Sequence, residues 1–205
     1  MNANKGNRFL PLLIVIVIIV LVIIAIVAIG RALLSSSTPA PTTQKVNSTR
    51  QALLTVGDTR SVSMIVRGPI VADEDFRSYK ISVSPDHRTM DVYKGYLDTR
   101  TNGTTLGNNE KSYTQFVHAL DKADFANVLT GKISSDLRGI CATGYVYEFQ
   151  LGNDGKVVKT LWTSTCSGSK GNLGASKDQL GNLFRVQIPN ASQYIPFETA
   201  PILTF

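Results

Sequence analysis

The longest apolar run of the chain covers residues 9–29, FLPLLIVIVIIVLVIIAIVAI. None of its 21 residues is charged, and 18 of them are Leu, Ile, Val or Phe. A helix rises about 1.5 Å per residue, so this run would extend about 30 Å, which matches the hydrocarbon core of a bilayer. The pattern predicts a transmembrane signal-anchor helix at 9–29.

The flanking charges predict how this helix is oriented. Lys5 and Arg8 precede it within the N-terminal segment 1–8, and no acidic residue occurs before Asp58. Because positive charges favour the cytoplasmic side, we expect 1–8 inside the cell and the C-terminal part outside the plasma membrane. Cleavage as a signal peptide, near the small residue Gly30, is the alternative, although signal peptides have shorter apolar regions.

The composition changes after this run. Residues 30–49 contain SSSTPAPTTQKVNST, which is polar and has no aromatic side chain. Such a composition is typical of a flexible linker. Residues 50–205 have the usual length of one domain with its own hydrophobic core. We therefore expect a single extracytoplasmic domain at 50–205.

Alternating apolar positions predict three consecutive strands in this domain. Residues 61–71, 77–84 and 89–97 each place apolar side chains at every second position. This is the period of a strand with one buried face. Turn-forming residues separate the runs, which favours an antiparallel meander. Residues 99–109 are polar and are predicted to form a loop.

The clearest helical pattern lies at residues 110–122. Tyr113, Phe116, Val117 and Leu120 follow the spacing i, i+3, i+4 and i+7. That spacing places the four side chains on one face of an amphipathic helix.

Shorter helices are predicted at three other places. Residues 50–55 form one candidate, and residues 123–129 form another, with Asp124 as a cap and Gly131 as a stop. Ser176 begins a sequence of the capping-box form S-x-x-Q, followed by apolar positions at helical spacing.

The segment between Cys141 and Cys166 predicts a hairpin around GNDG at residues 152–155. If these four residues form the loop, the two cysteines lie directly opposite one another. The same register sets Tyr145 opposite Trp162, so the aromatic side chains share a face with the cysteines.

Opposed cysteines predict a disulfide between Cys141 and Cys166, because the Cα separation of such a pair suits the bond. A stable disulfide indicates an oxidising compartment. Buried free thiols are one alternative. A catalytic thiol is another, but neither His87 nor His118 has a recognisable spacing to it. The spacing of the cysteines matches no metal motif, and no metal or other cofactor is predicted.

Together these elements predict an α+β fold. We expect an antiparallel sheet of about five strands with two or three helices on one face. The aromatic face of the cysteine hairpin should contact the apolar stripe around Phe116 and Leu183.

The charge distribution argues against nucleic-acid binding. The chain has a net charge of +6, but three of its 21 basic residues flank the apolar run. Residues 32–205 hold 18 basic and 15 acidic side chains and no long basic run. A nearly balanced surface lacks the electrostatic footprint of a nucleic-acid-binding domain.

The remaining candidate sites have simple structural explanations. We expect His118 to be partly buried beside its helix stripe and His87 to lie in a solvated turn. The acidic run 73–75 lacks the EF-hand pattern and should be a solvated turn. The glycine-rich segment 168–174 precedes a capped helix; we expect a mobile connection, with anion binding as the alternative. No catalytic residue is predicted.

These features favour a membrane-anchored extracytoplasmic binding or structural module of the cell envelope. Its partners would be the bilayer, through 9–29, and an envelope protein or cell-surface ligand. The alternatives are an envelope hydrolase with a site assembled from distant residues, and an exported subunit of a larger membrane assembly.

Overall fold

A computed structural model describes residues 48–131 and 133–197. The predicted membrane helix at 9–29 and nearly all of the linker at 30–49 lie outside these residues. Within the described part of the chain, no helix has the length and apolar character needed to cross a membrane.

The described residues form an α+β domain with a six-stranded antiparallel sheet, three α-helices and a short 3₁₀ turn. The strands are β1 (Arg60–Arg67), β2 (Arg77–Val83), β3 (His87–Lys94), β4 (Thr99–Gly107), β5 (Val146–Asn153) and β6 (Lys156–Ser164). The helices are α1 (Ser48–Leu54), α2 (Glu110–Lys122) and α3 (Lys177–Arg185), and the 3₁₀ turn is Ala191–Gln193.

The strand order across the sheet is β4-β3-β2-β1-β5-β6. The predicted meander is present, and it is one strand longer than expected. Residues assigned to a polar loop form the edge strand β4, which pairs with β3 along its length. Strand β4 has no buried residue, so it carries no apolar alternation from which it could be recognised.

The central strand β1 has two chemically different faces. Val62, Met64 and Val66 are buried on one side and join the main hydrophobic core. Met64 lies between Ile81 of β2 and Phe149 of β5 in the strand register. We call this side of the sheet the helix face, because the core side chains of α1, α2 and α3 pack against it.

Two predicted helices begin at residues whose side chains cap them, and of these only Ser176 was predicted as a cap. The side chain of Asn109 accepts a hydrogen bond from the backbone N–H of Ser112 at the start of α2. Ser176 likewise accepts from the N–H of Gln179 at the start of α3. These contacts satisfy backbone donors that a helix leaves unpaired in its first turn.

The prediction of a helix at residues 123–129 is wrong. Asp124 adopts a left-handed conformation, with φ of 59°, which ends helical structure directly after α2. Val128 instead forms an isolated antiparallel bridge with Leu173. The apolar side chains of this segment are buried as irregular structure: Phe125, for example, is fully buried.

Aromatic side chains join the hairpin to the helices, as predicted. The ring of Phe184 in α3 lies 5.2 Å from that of Phe116 in α2 and 5.9 Å from that of Phe149 in β5. Phe125 contacts Phe149 edge to face at 6.2 Å. These contacts place one aromatic cluster at the centre of the core.

The predicted register of the cysteine hairpin is wrong by an odd number of residues. The turn contains only Asp154 and Gly155, both with positive φ, at 51° and 72°. A bulge beside Gly152 then shifts the pairing, so that Trp162 faces Glu148 rather than Tyr145. Because an odd shift exchanges the faces of a strand, Trp162 lies on the side opposite the helices.

The position of Phe149 leads to a test of this core. Replacement of this fully buried ring by alanine leaves a cavity among Phe125, Phe184 and Met64, and Phe149→Ala should lower the free energy of unfolding by about 3–5 kcal/mol. Urea denaturation followed by circular dichroism measures the change. Val158→Ala, at a position 52% exposed, is the control and should change stability by less than about 0.5 kcal/mol. Equal effects at both positions would contradict this core.

Candidate functional site

The second side of the sheet is polar, and its β1–β4 part is a shallow open surface. We call this the open face and define it by Ser63, Lys80, Ser82, Thr89, Asp91 and Tyr93, all of which line a cavity of about 500 Å³. The side chains alternate with the buried apolar positions of the same strands. The period of two that builds the core therefore also builds this surface.

Cross-strand pairs organise the open face. Ser63 of β1 and Ser82 of β2 share a hydrogen bond of 3.0 Å. Lys80 lies opposite Asp91 of β3 in the register. The carboxylate of Asp91 is engaged by Arg100 of β4, whose Nε lies 2.5 Å from Oδ1. Within the described residues, Lys80 forms no salt bridge, so the surface presents hydroxyl groups together with a half-buried lysine.

A cluster of Ser84, Asp86 and His87 lies at one end of the open face. The Ser84 Oγ donates to Asp86 Oδ1 at 2.6 Å and lies 3.1 Å from Nδ1 of His87. Asp86 Oδ1 lies 2.8 Å from the same Nδ1. The hydrogen bonds from Ser84 and from His87 lower the pKa of Asp86 to about 2.

This cluster differs from a nucleophile–base–acid arrangement. In such a triad, the serine and the acid contact different nitrogens of the imidazole, whereas here both contact Nδ1. Ser84 Oγ also accepts from the backbone N–H of His87. The three side chains thus close the turn between β2 and β3, and the geometry does not arrange Ser84 as an activated nucleophile.

The other histidine, His118, lies in α2 and makes no hydrogen bond with this cluster in the described part of the chain. His118 projects from α2 and is exposed, so the expectation that it is partly buried is wrong. The hydrogen bond from Arg50 is the largest cause that lowers the pKa of Asp121, and the nearby His118 lowers it further.

The predicted disulfide is present. Cys141 and Cys166 are bonded, with an S–S distance of 2.05 Å and a Cα–Cα distance of 5.5 Å. The two residues lie outside β5 and β6, so they are not the directly opposed strand pair that was predicted. Thr165 still pairs with the chain just before β5, through its N–H to the carbonyl of Tyr145 at 3.0 Å, and this keeps the two cysteines close.

The disulfide fastens a second, smaller hydrophobic cluster over β5 and β6. Trp162 and Val146 form this cluster with Cys141, and Ile133, Leu137 and Ile140 pack against it together with Cys166. The indole N–H of Trp162 donates to the carbonyl of Ser134 at 3.1 Å. We call the covering residues, 133–141 and 166–174, the disulfide flap. The flap covers β5 and β6 around Val146 and Trp162 and leaves the open face uncovered.

The glycine-rich segment 168–174 belongs to this flap. The N–H of Leu173 donates to the carbonyl of Trp162 at 3.1 Å, and the side chain of Asn172 accepts from the Trp162 N–H at 2.7 Å. A Cβ atom at Gly171 would meet the carbonyl oxygen of Trp162 at 1.9 Å. The predicted mobile connection is therefore docked along β6, and glycine is needed there for the close approach.

The acidic run 73–75 forms an exposed turn, as expected. Asp73 accepts a hydrogen bond from the backbone N–H of Tyr96 at 2.7 Å and so joins two loops. Among residues 48–131 and 133–197, no group of three or more His, Cys, Asp or Glu side chains is arranged to hold a metal ion.

No family model, no curated protein and no solved structure matches the chain. The fold and the site define its class in physical terms. It is an α+β domain whose antiparallel sheet has one side covered by helices and the other divided between a disulfide-fastened flap and an open polar face.

The disulfide flap leads to a second test. The bond closes a loop of about 26 residues, so its loss in Cys141→Ser/Cys166→Ser should lower the free energy of unfolding by about 3–4 kcal/mol. Trp162, the only tryptophan of the chain, reports on the flap. Its fluorescence should shift to longer wavelength when the flap loosens.

Reduction of the wild-type chain should reproduce both effects, and the same reductant should leave the double variant unchanged. If the variant kept the stability and the emission spectrum of the wild type, the disulfide would not hold the flap.

Proposed function

We propose that the protein is a single-pass, membrane-anchored module that displays its α+β domain outside the cytoplasm and binds a component of the cell envelope. The disulfide between Cys141 and Cys166 is the observation that carries the proposal. Structural disulfides persist in oxidising compartments and are rare in the cytosol. The apolar run at 9–29 supplies the means of export and of anchoring.

The open face is the surface that we assign to binding. It presents hydroxyl groups and charged side chains, among them Ser63 and Lys80, on a hydrogen-bonded sheet, and the amide of Gln150 in the neighbouring strand β5 lines the same cavity. A rigid backbone allows such groups to recognise a ligand without a large loss of conformational entropy. The flap leaves this part of the sheet accessible, which supports a role in contact with a ligand.

A second candidate function, an exported subunit of a larger assembly, is favoured by an apolar group at one end of the sheet. Leu97 is 91% exposed, and Ile70, Val71 and Tyr96 are also exposed. The Tyr96 hydroxyl donates to the carbonyl of Val71 at 2.7 Å, and its ring stacks on Phe76 at 4.2 Å. Exposed apolar side chains that are held in fixed positions are typical of protein interfaces.

The compartment can be tested by thiol labelling of intact cells. A membrane-impermeant maleimide should label the protein only after an impermeant reductant opens the disulfide, because both cysteines are bonded. Labelling without the reductant, or only after lysis, would contradict the proposed location. The Cys141→Ser/Cys166→Ser variant is the control for labelling of other proteins.

The binding surface can be tested with envelope material from the host cell. Co-sedimentation should show that Lys80→Ala/Gln150→Ala weakens binding about tenfold, the effect of losing one hydrogen bond to a charged group. The matched control is Lys111→Ala/Lys122→Ala on the exposed side of α2. A similar loss in both variants would point to nonspecific charge attraction, and no loss in either would exclude the open face as the binding surface.

A further inference from the structure

The polar side of the sheet carries a row of hydroxyl and amide side chains that crosses all six strands. Each member lies directly opposite the next in the strand register. In spatial order from β6 to β4, the members are Thr160, Gln150, Ser63, Ser82, Thr89 and Thr105. We call this set the polar row. Neighbouring strands lie about 4.8 Å apart, so the polar row extends about 24 Å across the sheet.

The middle of the polar row is accessible from the open face. Gln150, Ser63, Ser82 and Thr89 all line its cavity of about 500 Å³. The hydrogen bond between Ser63 and Ser82 uses only part of their capacity, because each hydroxyl group has one donor and two acceptor positions. The row can therefore both donate to a ligand and accept from it, as hydroxyl groups of a ligand require.

Two lysines flank the polar row. Lys80 of β2 lies two residues before Ser82 and so points to the same side of the sheet, and Lys156 begins β6. Both line the cavity of the open face. Among residues 48–131 and 133–197, neither lysine forms a salt bridge. Their charges are available to a ligand.

The acidic side chains of the cavity do not neutralise these lysines. Three acids line it, and Asp86 and Asp91 are each engaged by a neighbouring basic side chain. The third, Asp58, is balanced by Arg60, which lines the same cavity. The charge that remains on the open face is that of the two lysines, so the surface is complementary to an anion.

An aromatic ring adds apolar surface to the same face. Tyr93 is half-buried, lines the cavity and shares its side of β3 with Thr89. An aromatic side chain of this kind offers an apolar ring face and a polar edge. A sugar ring has the matching arrangement, with C–H groups on its faces and hydroxyl groups around its edge. Binding sites commonly combine such a ring with a few placed polar groups.

We propose that the open face binds an acidic polysaccharide, whose hydroxyl groups pair with the polar row and whose carboxylate or phosphate groups lie at Lys80 and Lys156. The inference rests on the proposed function and names the class of envelope component that the module binds. The unpaired lysines favour an acidic chain over a neutral one. The polar row favours a sugar chain over other acidic polymers, and its open length suits a chain that passes across the sheet.

Binding of defined polymers to the full-length chain in detergent tests the ligand class. Biolayer interferometry should detect binding of polygalacturonate if the acidic group is a carboxylate, and of a teichoic acid if it is a phosphate. Methyl-esterified polygalacturonate has the same sugar chain without the charge, and polyglutamate has the carboxylates without the sugar. Each should bind at least about tenfold more weakly than the preferred acidic polysaccharide. Equal binding of either would overturn the proposal.

Two substitutions separate the charge from the hydroxyl groups. Lys80→Met should weaken binding of the acidic polysaccharide about tenfold and reduce its dependence on salt. Thr89→Val keeps the shape of the side chain and removes its hydroxyl group, so it should weaken binding about threefold at every salt concentration. The matched controls are Lys111→Met and Thr114→Val in α2, which should bind as the wild type does.

Failure of this inference can be distinguished from failure of the proposed function. Envelope material bound through the open face, with no binding of any acidic polysaccharide, would overturn the ligand class and leave the membrane-anchored module standing. Binding of an acidic polysaccharide that Lys80→Met and Thr89→Val both leave unchanged would place the ligand elsewhere on the protein, and would also overturn the proposal. Absence of binding to both materials would exclude the open face as a binding surface.

Discussion

The pairing of β1 with both β2 and β5 is the constraint on which the rest of the structure depends. It fixes Met64 between Ile81 and Phe149 and so sets which side of every strand faces the helices. Because side chains alternate along a strand, the same register also sets the polar side, where Ser63 meets Ser82. The hydrophobic core and the open face are therefore two results of one alignment.

A local feature of the hairpin explains why the disulfide flap covers one part of the polar side and leaves the open face uncovered. The bulge beside Gly152 turns Trp162 away from the helices and onto the opposite side of the sheet. A large indole there needs a cover, which the disulfide flap supplies through Ile133, Leu137 and Ile140. The neighbouring strands carry Ser, Thr, Lys and Asp at the equivalent positions, and these side chains are stable in water.

Elements that one residue or one period determines were predicted correctly. Ser176 caps α3 as expected, the apolar spacing identifies α2, and the three alternating runs form β1, β2 and β3. Elements that depend on their partners were missed. Strand β4 has no apolar face and is recognisable only by its pairing with β3, and a bulge cannot be deduced from turn residues alone.

The candidate sites also divide into those that a local sequence pattern predicts and those that depend on the tertiary fold. The disulfide was predicted correctly from a wrong register, because the chain on either side of the hairpin stays paired beyond the ends of the strands. The burial of Arg185 gave no signal in the sequence. Arg185 occupies the last turn of an amphipathic helix, where a basic residue is ordinary, and only the tertiary fold buries it.

The position of β1 at the centre of the sheet also imposes an order on folding. Its partners on one side follow directly in the chain, whereas its partners on the other side begin at Val146 and extend to Asn153, which pairs with Arg60. Contacts between such distant residues form late, because a long loop must close first. We expect the meander β1–β4 to assemble first, with β1 as a temporary edge, until the cysteine hairpin adds to it as a unit. During synthesis, that unfinished edge is open to pairing with other chains.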